Sequence, residues 1–267
     1  MNHPDRDPEG TRAVWDPHAY THRDLRERPF HDLLARVGAD NPRRVVDLGC
    51  GPGTLTAWLA RRWPHATLEA RDSSPEMVAA ARDAGVPAVH ADVTGWYPAP
   101  DTDLVVANAV LHWAPEHREL LRDRVPRLPA GAWLAMQVPG NFDAPSHRAI
   151  RELAASPAWA ETLSGVHLPG PDAVDDPAGY ADLFADLGCA VDAWETTYLH
   201  PLTGDDAVLE WVTGTALRPV AAALGPREWH EFRAQLAPEL RRAYPPRADG
   251  VTWFPFRRIF AVAHLPH

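Results

Sequence analysis

Residues 45–54 constrain this chain more than any other stretch. They read Val45-Val46-Asp47-Leu48-Gly49-Cys50-Gly51-Pro52-Gly53-Thr54. Two β-branched residues enter as a strand, three alternating glycines turn the backbone, and residues 55–63 leave as an amphipathic helix. Strand, tight glycine turn and helix start make a cradle for a nucleotide-type cofactor. Alternating glycines let the backbone pass close to a ligand where any Cβ would clash.

The sequence on either side repeats the same rhythm. Ahead of the loop, the spacing of Phe30, Leu33, Leu34 and Val37 predicts a helix over 29–37, closed by Gly38. Strands are predicted at 43–47, 67–72, 88–92, 104–108 and 133–138. Ser73-Ser74-Pro75-Glu76 reads as a helix start, with a serine cap and a proline in the first turn. Strands alternating with helices predict an α/β fold with a doubly wound, mostly parallel sheet. After residue 139 the rhythm breaks into helices at 145–155, 178–187, about 205–216, 218–224 and 226–243, with strands at 191–200 and 251–264. These bring the sheet to seven strands. Residues 1–13 are polar and proline-containing, which predicts disorder. Residues 14–267 read as a single domain. Its cofactor-binding core covers about 30–140, and 14–29 with parts of 140–250 supply a helical cap that holds the second substrate.

Composition narrows the partners. With a net charge of −10 and no basic block, the chain is not expected to bind nucleic acid or an anionic membrane. No apolar run approaches the length of a membrane span. A polar N-terminus and only two cysteines, Cys50 and Cys189, point to the cytoplasm. The absence of lysine removes a Walker-type phosphate loop and Schiff-base chemistry. His18 and His22 lack a third ligand nearby, so no metal is assigned. Oligomeric state has no sequence signal here.

The loop also discriminates between cofactors. A dinucleotide fingerprint wants a glycine or alanine where Thr54 stands, and Asp47 would repel a diphosphate. S-adenosylmethionine carries no phosphate and has a cationic sulfonium and ammonium, which an acid favours. Asp47-Leu48-Gly49-Cys50-Gly51-Pro52-Gly53 resembles motif I of the class I S-adenosylmethionine-dependent methyltransferases, which have a Rossmann-like sheet. That resemblance implies a cofactor site of Asp47, Gly49, Cys50, Gly51, Gly53, Asp72, Ser73, Met77, Asp92, Val93 and Asn108. In it Asp72 takes the ribose hydroxyls, Asp92 and Val93 the adenine, and Asn108 the methionine end.

Other segments narrow the resemblance further. Trp15-Asp16-Pro17-x-x-Tyr20, Thr196-Thr197-Tyr198-x-His200, Trp211 to Pro219 and Phe254-Pro255-Phe256-Arg257-Arg258-Ile259-Phe260 are similar to the trans-aconitate 2-methyltransferase family. The resemblance implies methyl ester formation on a carboxylate of trans-aconitate or a related small polycarboxylate. A carboxylate is already ionised at neutral pH and needs no general base. The remaining carboxylates call for cationic forks, which favours arginine. The implied acceptor site comprises Trp15, Tyr20, Arg28, Trp113, Tyr198, Arg218, Arg257 and Arg258. His112, His200 and Trp113 are the residues available for catalysis. Strand alternation turns one of Arg257 and Arg258 inward and leaves open which. A hydroxyl or amine acceptor is the alternative within the superfamily, with His112 or His200 as base. A nicotinamide oxidoreductase or a non-catalytic cofactor-binding module is more distant.

Overall fold

A computed structural model describes residues 23–266. Its seven strands are β1 (Arg44–Leu48), β2 (Thr67–Asp72), β3 (Ala88–His90), β4 (Thr102–Asn108), β5 (Trp133–Pro139), β6 (Ala190–Thr203) and β7 (Val251–His264). They form one sheet in the order β3-β2-β1-β4-β5-β7-β6. The pairs β1–β2, β2–β3, β1–β4 and β4–β5 are parallel, and β5–β7 is antiparallel. The expected doubly wound sheet is therefore present, with a reversed strand beyond β5. The strand order turns back at β1, which lies between β2 and β4. In open α/β sheets, that switch point is where ligands bind, outside the carboxyl ends of the strands.

The described residues fall into two compact units. The first holds 23–142, 171–200 and 255–266, and the second holds 143–170 and 201–254. In the first unit, the two faces of the sheet are apolar for different partners. Val45, Val106, Ala135, Phe260 and Val262 pack with Phe30, Leu33 and Leu34 of α1 (Arg23–Leu34) and Leu59 of α2 (Thr54–Arg62). Val46, Val105, Leu134, Met136 and Ile259 pack on the opposite face, with Leu121 of α4 (His117–Arg124) and Tyr180 and Phe184 of α6 (Pro177–Asp186). This period-2 division assigns each strand residue to a face. A smaller cluster joins Ala70 and Ala88 to Val78 and Ala81 of α3 (Pro75–Asp83).

In the second unit, α5 (Pro145–Ala154) and α7 (Ala207–Thr213) pack against α9 (Pro226–Ala243), and α8 (Arg218–Ala223) joins them in sequence. Tyr244 ties the end of α9 to α5. Its hydroxyl donates to Ser146 Oγ at 3.3 Å and accepts from Ser146 N at 3.2 Å. Trp159 Nε1 donates to Gln235 Oε1 at 3.0 Å, and Trp211 is buried.

Two helices differ from expectation. The helix predicted to begin at Pro29 begins at Arg23, and Pro29 lies inside it. The polar run Arg23-Asp24-Leu25-Arg26-Glu27-Arg28 has almost no apolar periodicity to mark that extension. Helix α4 was not expected from periodicity, since His117-Arg118-Glu119-Leu120-Leu121-Arg122-Asp123-Arg124 offers only two aliphatic residues. His117 forms it from within: its buried ring bonds to Ala114 O through Nδ1 at 3.0 Å and meets Tyr180 Oη through Nε2 at 2.9 Å. No helix among the described residues is long and apolar enough to cross a membrane.

Candidate active site

The glycine loop follows β1 and needs its glycines for three separate reasons. Gly49, Gly51 and Gly53 all have positive φ, at 75°, 54° and 80°. At Gly49 a Cβ would lie 2.5 Å from Val110 Cβ, so the side chain is excluded by the segment after β4. At Gly53 a Cβ would lie 3.0 Å from the Ala81 backbone, so this glycine sets the approach of α2 to α3. At Gly51 nothing lies within 4 Å, so a side chain there would meet open space and only the positive φ demands glycine. The loop hangs from β2: Gly49 N and Cys50 N donate to Arg71 O at 2.8 and 2.9 Å.

Asp72 fastens the same loop. Its Oδ2 accepts from Gly51 N and its Oδ1 from Ser74 N, both at 2.9 Å. Burial raises its pKa, with those backbone donors pulling the other way. Ser74 in turn caps α3, accepting from Met77 N at 3.2 Å. Ser73 sits between the two, its carbonyl 3.0 Å from His90 Nε2. Met77 is buried on the first turn of α3. A carboxylate with both oxygens held by backbone N–H groups is rigid, and it retains acceptor capacity beyond those bonds.

Asp47 is buried on β1 and accepts from Thr56 Oγ1 at 2.6 Å. Burial, opposed by the Thr56 bond and helped by nearby Asp72, pushes its pKa up from 3.8 to about 6. Cys50 is buried and its thiol is raised further from ionisation by burial and by Asp47, which makes it a packing group and a poor nucleophile. Asp92 follows β3, and its Oδ1 caps a 3-10 turn by accepting from Thr94 N at 2.9 Å and Thr94 Oγ1 at 2.8 Å. Val93 packs against the core beside it. Asn108 ends β4, and its Oδ1 is buried with no partner among the described residues. The next residue, Ala109, has φ 55°, a conformation that costs an alanine about 1 kcal/mol or more.

The remaining expected residues are placed as follows. His112 and Trp113 lie on a 3-10 turn after β4, with ring centroids 4.8 Å apart, and Trp113 is 40% exposed. Tyr198 is buried on β6 and donates its hydroxyl to Asp32 Oδ2 of α1 at 2.6 Å. Arg28 lies on the exposed side of α1, 3.8 Å from the same Asp32. His200 is buried, its ring 6.5 Å from Tyr198 and 5.8 Å from Phe256. Arg257 is ion-paired with Glu195 and donates to Gly140 O at 3.2 Å. Arg258 is buried, with its guanidinium 4.3 Å from the Phe256 ring centre, on the same face as Phe260 and Val262. Alternation along β7 puts Arg258 on the sheet face of Phe260 and Val262 and Arg257 on the opposite face. Arg218 is buried at the start of α8 in the second unit. Trp15 and Tyr20 lie outside the described residues.

Sequence reasoning passed over Gln137. It is 1% exposed on β5, and its Nε2 has no partner among the described residues. The signal was available: one amide at the end of the apolar run Trp133-Leu134-Ala135-Met136.

A glycine loop after β1, an acid at the end of β2 and a reversed seventh strand together define a class I methyltransferase core. A family model described as a methyltransferase domain matches residues 20–193. Among solved structures, the YcgJ protein of Bacillus subtilis shares the fold at a TM-score of 0.56 and 15% identity, over 92% of this chain and 100% of its own. Relatives in sequence are far nearer. The trans-aconitate 2-methyltransferase of Rhodococcus jostii (strain RHA1) is 62% identical over 253 residues, spanning 94% of this chain and 100% of that protein. The trans-aconitate 2-methyltransferase of Mycolicibacterium gilvum (strain PYR-GCK) is 59% identical, over 94% and 99%. The chain belongs to the trans-aconitate 2-methyltransferase family, with S-adenosylmethionine as the methyl donor.

Proposed function

We propose that this protein methylates a carboxylate of trans-aconitate, giving the methyl ester and S-adenosylhomocysteine. The observation that carries the reading is 62% identity, sustained over 94% of the chain, to a protein of that activity. Two free, buried cysteines support a cytoplasmic setting.

The residues present fit the cofactor. Gly51 leaves an open path over the backbone, Asp72 retains acceptor capacity for the ribose hydroxyls, and Asn108 Oδ1 is a buried acceptor suited to an ammonium. Asp92 Oδ2 is the oxygen left over from the Thr94 cap and suits the adenine amino group, with Val93 beside the ring. Asp47 supplies negative charge behind the loop. Bound, S-adenosylmethionine supplies an electrophilic methyl on a cationic sulfonium.

The acceptor carboxylate arrives ionised, so the protein's work is to orient it and exclude water. Arg258 is buried on the same face of the sheet as Gln137 and is the arginine of this reading, while Arg257 is ion-paired with Glu195 and donates to Gly140 O. Tyr198 contributes its ring, since its hydroxyl holds Asp32. Arg28, exposed on α1, has the weakest claim.

The test is a methyl-transfer screen over trans-aconitate, cis-aconitate, isocitrate and unrelated hydroxyl and amine acceptors. Transfer to trans-aconitate with the highest kcat/KM is expected. Activity confined to hydroxyl or amine acceptors would overturn the reading.

A further inference from the structure

Four neighbouring strands, β1, β4, β5 and β7, each present a polar side chain on one face near the carboxyl ends of the parallel strands. They are Asp47, Asn108, Gln137 and Arg258. Register fixes the shared face: Asp47 pairs with Val106, Asn108 with Gln137, and Gln137 with Phe260. Val106 and Phe260 both belong to the cluster that packs under α1. Arg258, paired with Pro139, is one side-chain step from Phe260 and thus a diagonal neighbour of Gln137.

Across the face the groups run from carboxylate through amide to guanidinium. The two central residues carry the argument. Asn108 Oδ1 and Gln137 Nε2 are complementary, buried and on register partners, yet neither bonds to the other or to any described group. Each is therefore left with its hydrogen-bonding capacity unused within the described residues. An orphaned amide N–H in a buried strand is destabilising, and a leucine or methionine would avoid it. Asn108 Oδ1 can only accept, which suits a cation on the β1 side. Gln137 Nε2 can only donate, which suits an anion on the β7 side, beside Arg258.

We propose that the Gln137 side-chain N–H donates to a carboxylate oxygen of the acceptor and, with Arg258, determines acceptor specificity. The inference rests on the polycarboxylate reading above. A neutral donor suits this place. It orients a carboxylate while withdrawing less of its charge than a second guanidinium would, and the carboxylate keeps its nucleophilicity.

The test compares wild type with Gln137→Met, which keeps length and removes the donor, and with Gln137→Glu, which keeps shape and reverses its role. Trans-aconitate is titrated by calorimetry into protein saturated with S-adenosylhomocysteine, where no turnover occurs, and KM and kcat are measured separately with the methyl donor. Gln137→Met should bind trans-aconitate roughly ten- to a hundredfold more weakly. Its affinity for S-adenosylhomocysteine should stay within about twofold and its Tm should be unchanged or higher. Gln137→Glu should bind the acceptor more weakly still. Equal acceptor binding by wild type and both variants overturns the assignment alone, and so does a loss confined to S-adenosylhomocysteine. Wild type that binds no trans-aconitate overturns the acceptor reading and this inference with it.

Discussion

Gly49 and Gly51 share a backbone conformation but differ in what surrounds them, so alanine at each reports a different quantity. Gly49→Ala drives a Cβ into Val110 at φ 75°, and both strain and overpacking apply, about 2–4 kcal/mol. Gly51→Ala meets open space at φ 54°, so only the strain of about 1–2 kcal/mol applies. Chemical denaturation should show the larger loss at Gly49. Calorimetry with S-adenosylhomocysteine should show the larger affinity loss at Gly51, and intact affinity in Gly51→Ala would remove that face from the cradle. Asp47 is the opposite case, a residue held against stability. Its pKa rises from 3.8 to about 6 on folding. The folded state therefore binds the extra proton between those values, and stability falls as pH rises through that window, by about 3 kcal/mol in total. Asp47→Asn should be more stable than wild type at pH 7, with the gain fading towards pH 4, and should bind S-adenosylmethionine more weakly. In the wild type that binding should strengthen from pH 5 to 7, as the carboxylate ionises. A variant no more stable at pH 7 than wild type would mean that Asp47 carries no burial cost.

At the level of elements, short polar clasps join strands and helices around the glycine loop. Asp72 joins the glycine loop to the start of α3, and Ser74 caps that helix. Ser74→Ala should cost about 1 kcal/mol, with a further drop in cofactor affinity if the helix start shifts Asp72. Helix α4 is held in part by a buried polar contact: His117 Nδ1 is engaged by Ala114 O, which leaves Nε2 to accept from Tyr180. Tyr180→Phe orphans that nitrogen and should cost about 1–3 kcal/mol in a urea melt. A loss below about 0.5 kcal/mol would mean that water replaces the hydroxyl. These elements differ in how far the sequence revealed them. The ends of β2, β4 and β5 and the start of α3 could be read because apolar runs and a serine–proline cap mark them. Helix α4 and the first turns of α1 could not: the buried face of α4 is His117, Leu121 and Arg124, mostly polar, and α1 is held by its packed far end, so neither shows an apolar period.

For the whole molecule, acid acts differently on the two units. His147 in the second unit has its pKa lowered from 6.5 to about 4, by burial and then by Arg151. The unfolded chain therefore binds the proton first, and the second unit's stability, full above about pH 6.5, falls as pH drops. In the first unit the lowered pKa of buried His117 acts in the same direction, but Asp47 opposes it. Hydrogen exchange corrected for intrinsic rates should show α5 and α9 losing more protection between pH 7 and 5 than β1 and β4. A uniform loss would contradict this. The sequence by itself determined the parallel sheet, the glycine cradle and the acids at the ends of β1, β2 and β3, because each is written in contiguous residues with a local physical rule. Which face Arg258 takes, that Tyr198 gives its hydroxyl to Asp32, and that Asn108 and Gln137 stand side by side without bonding were decided only by the tertiary structure. Those facts depend on register between strands far apart in the chain, and a single residue's slip would turn every one of these side chains to the other face.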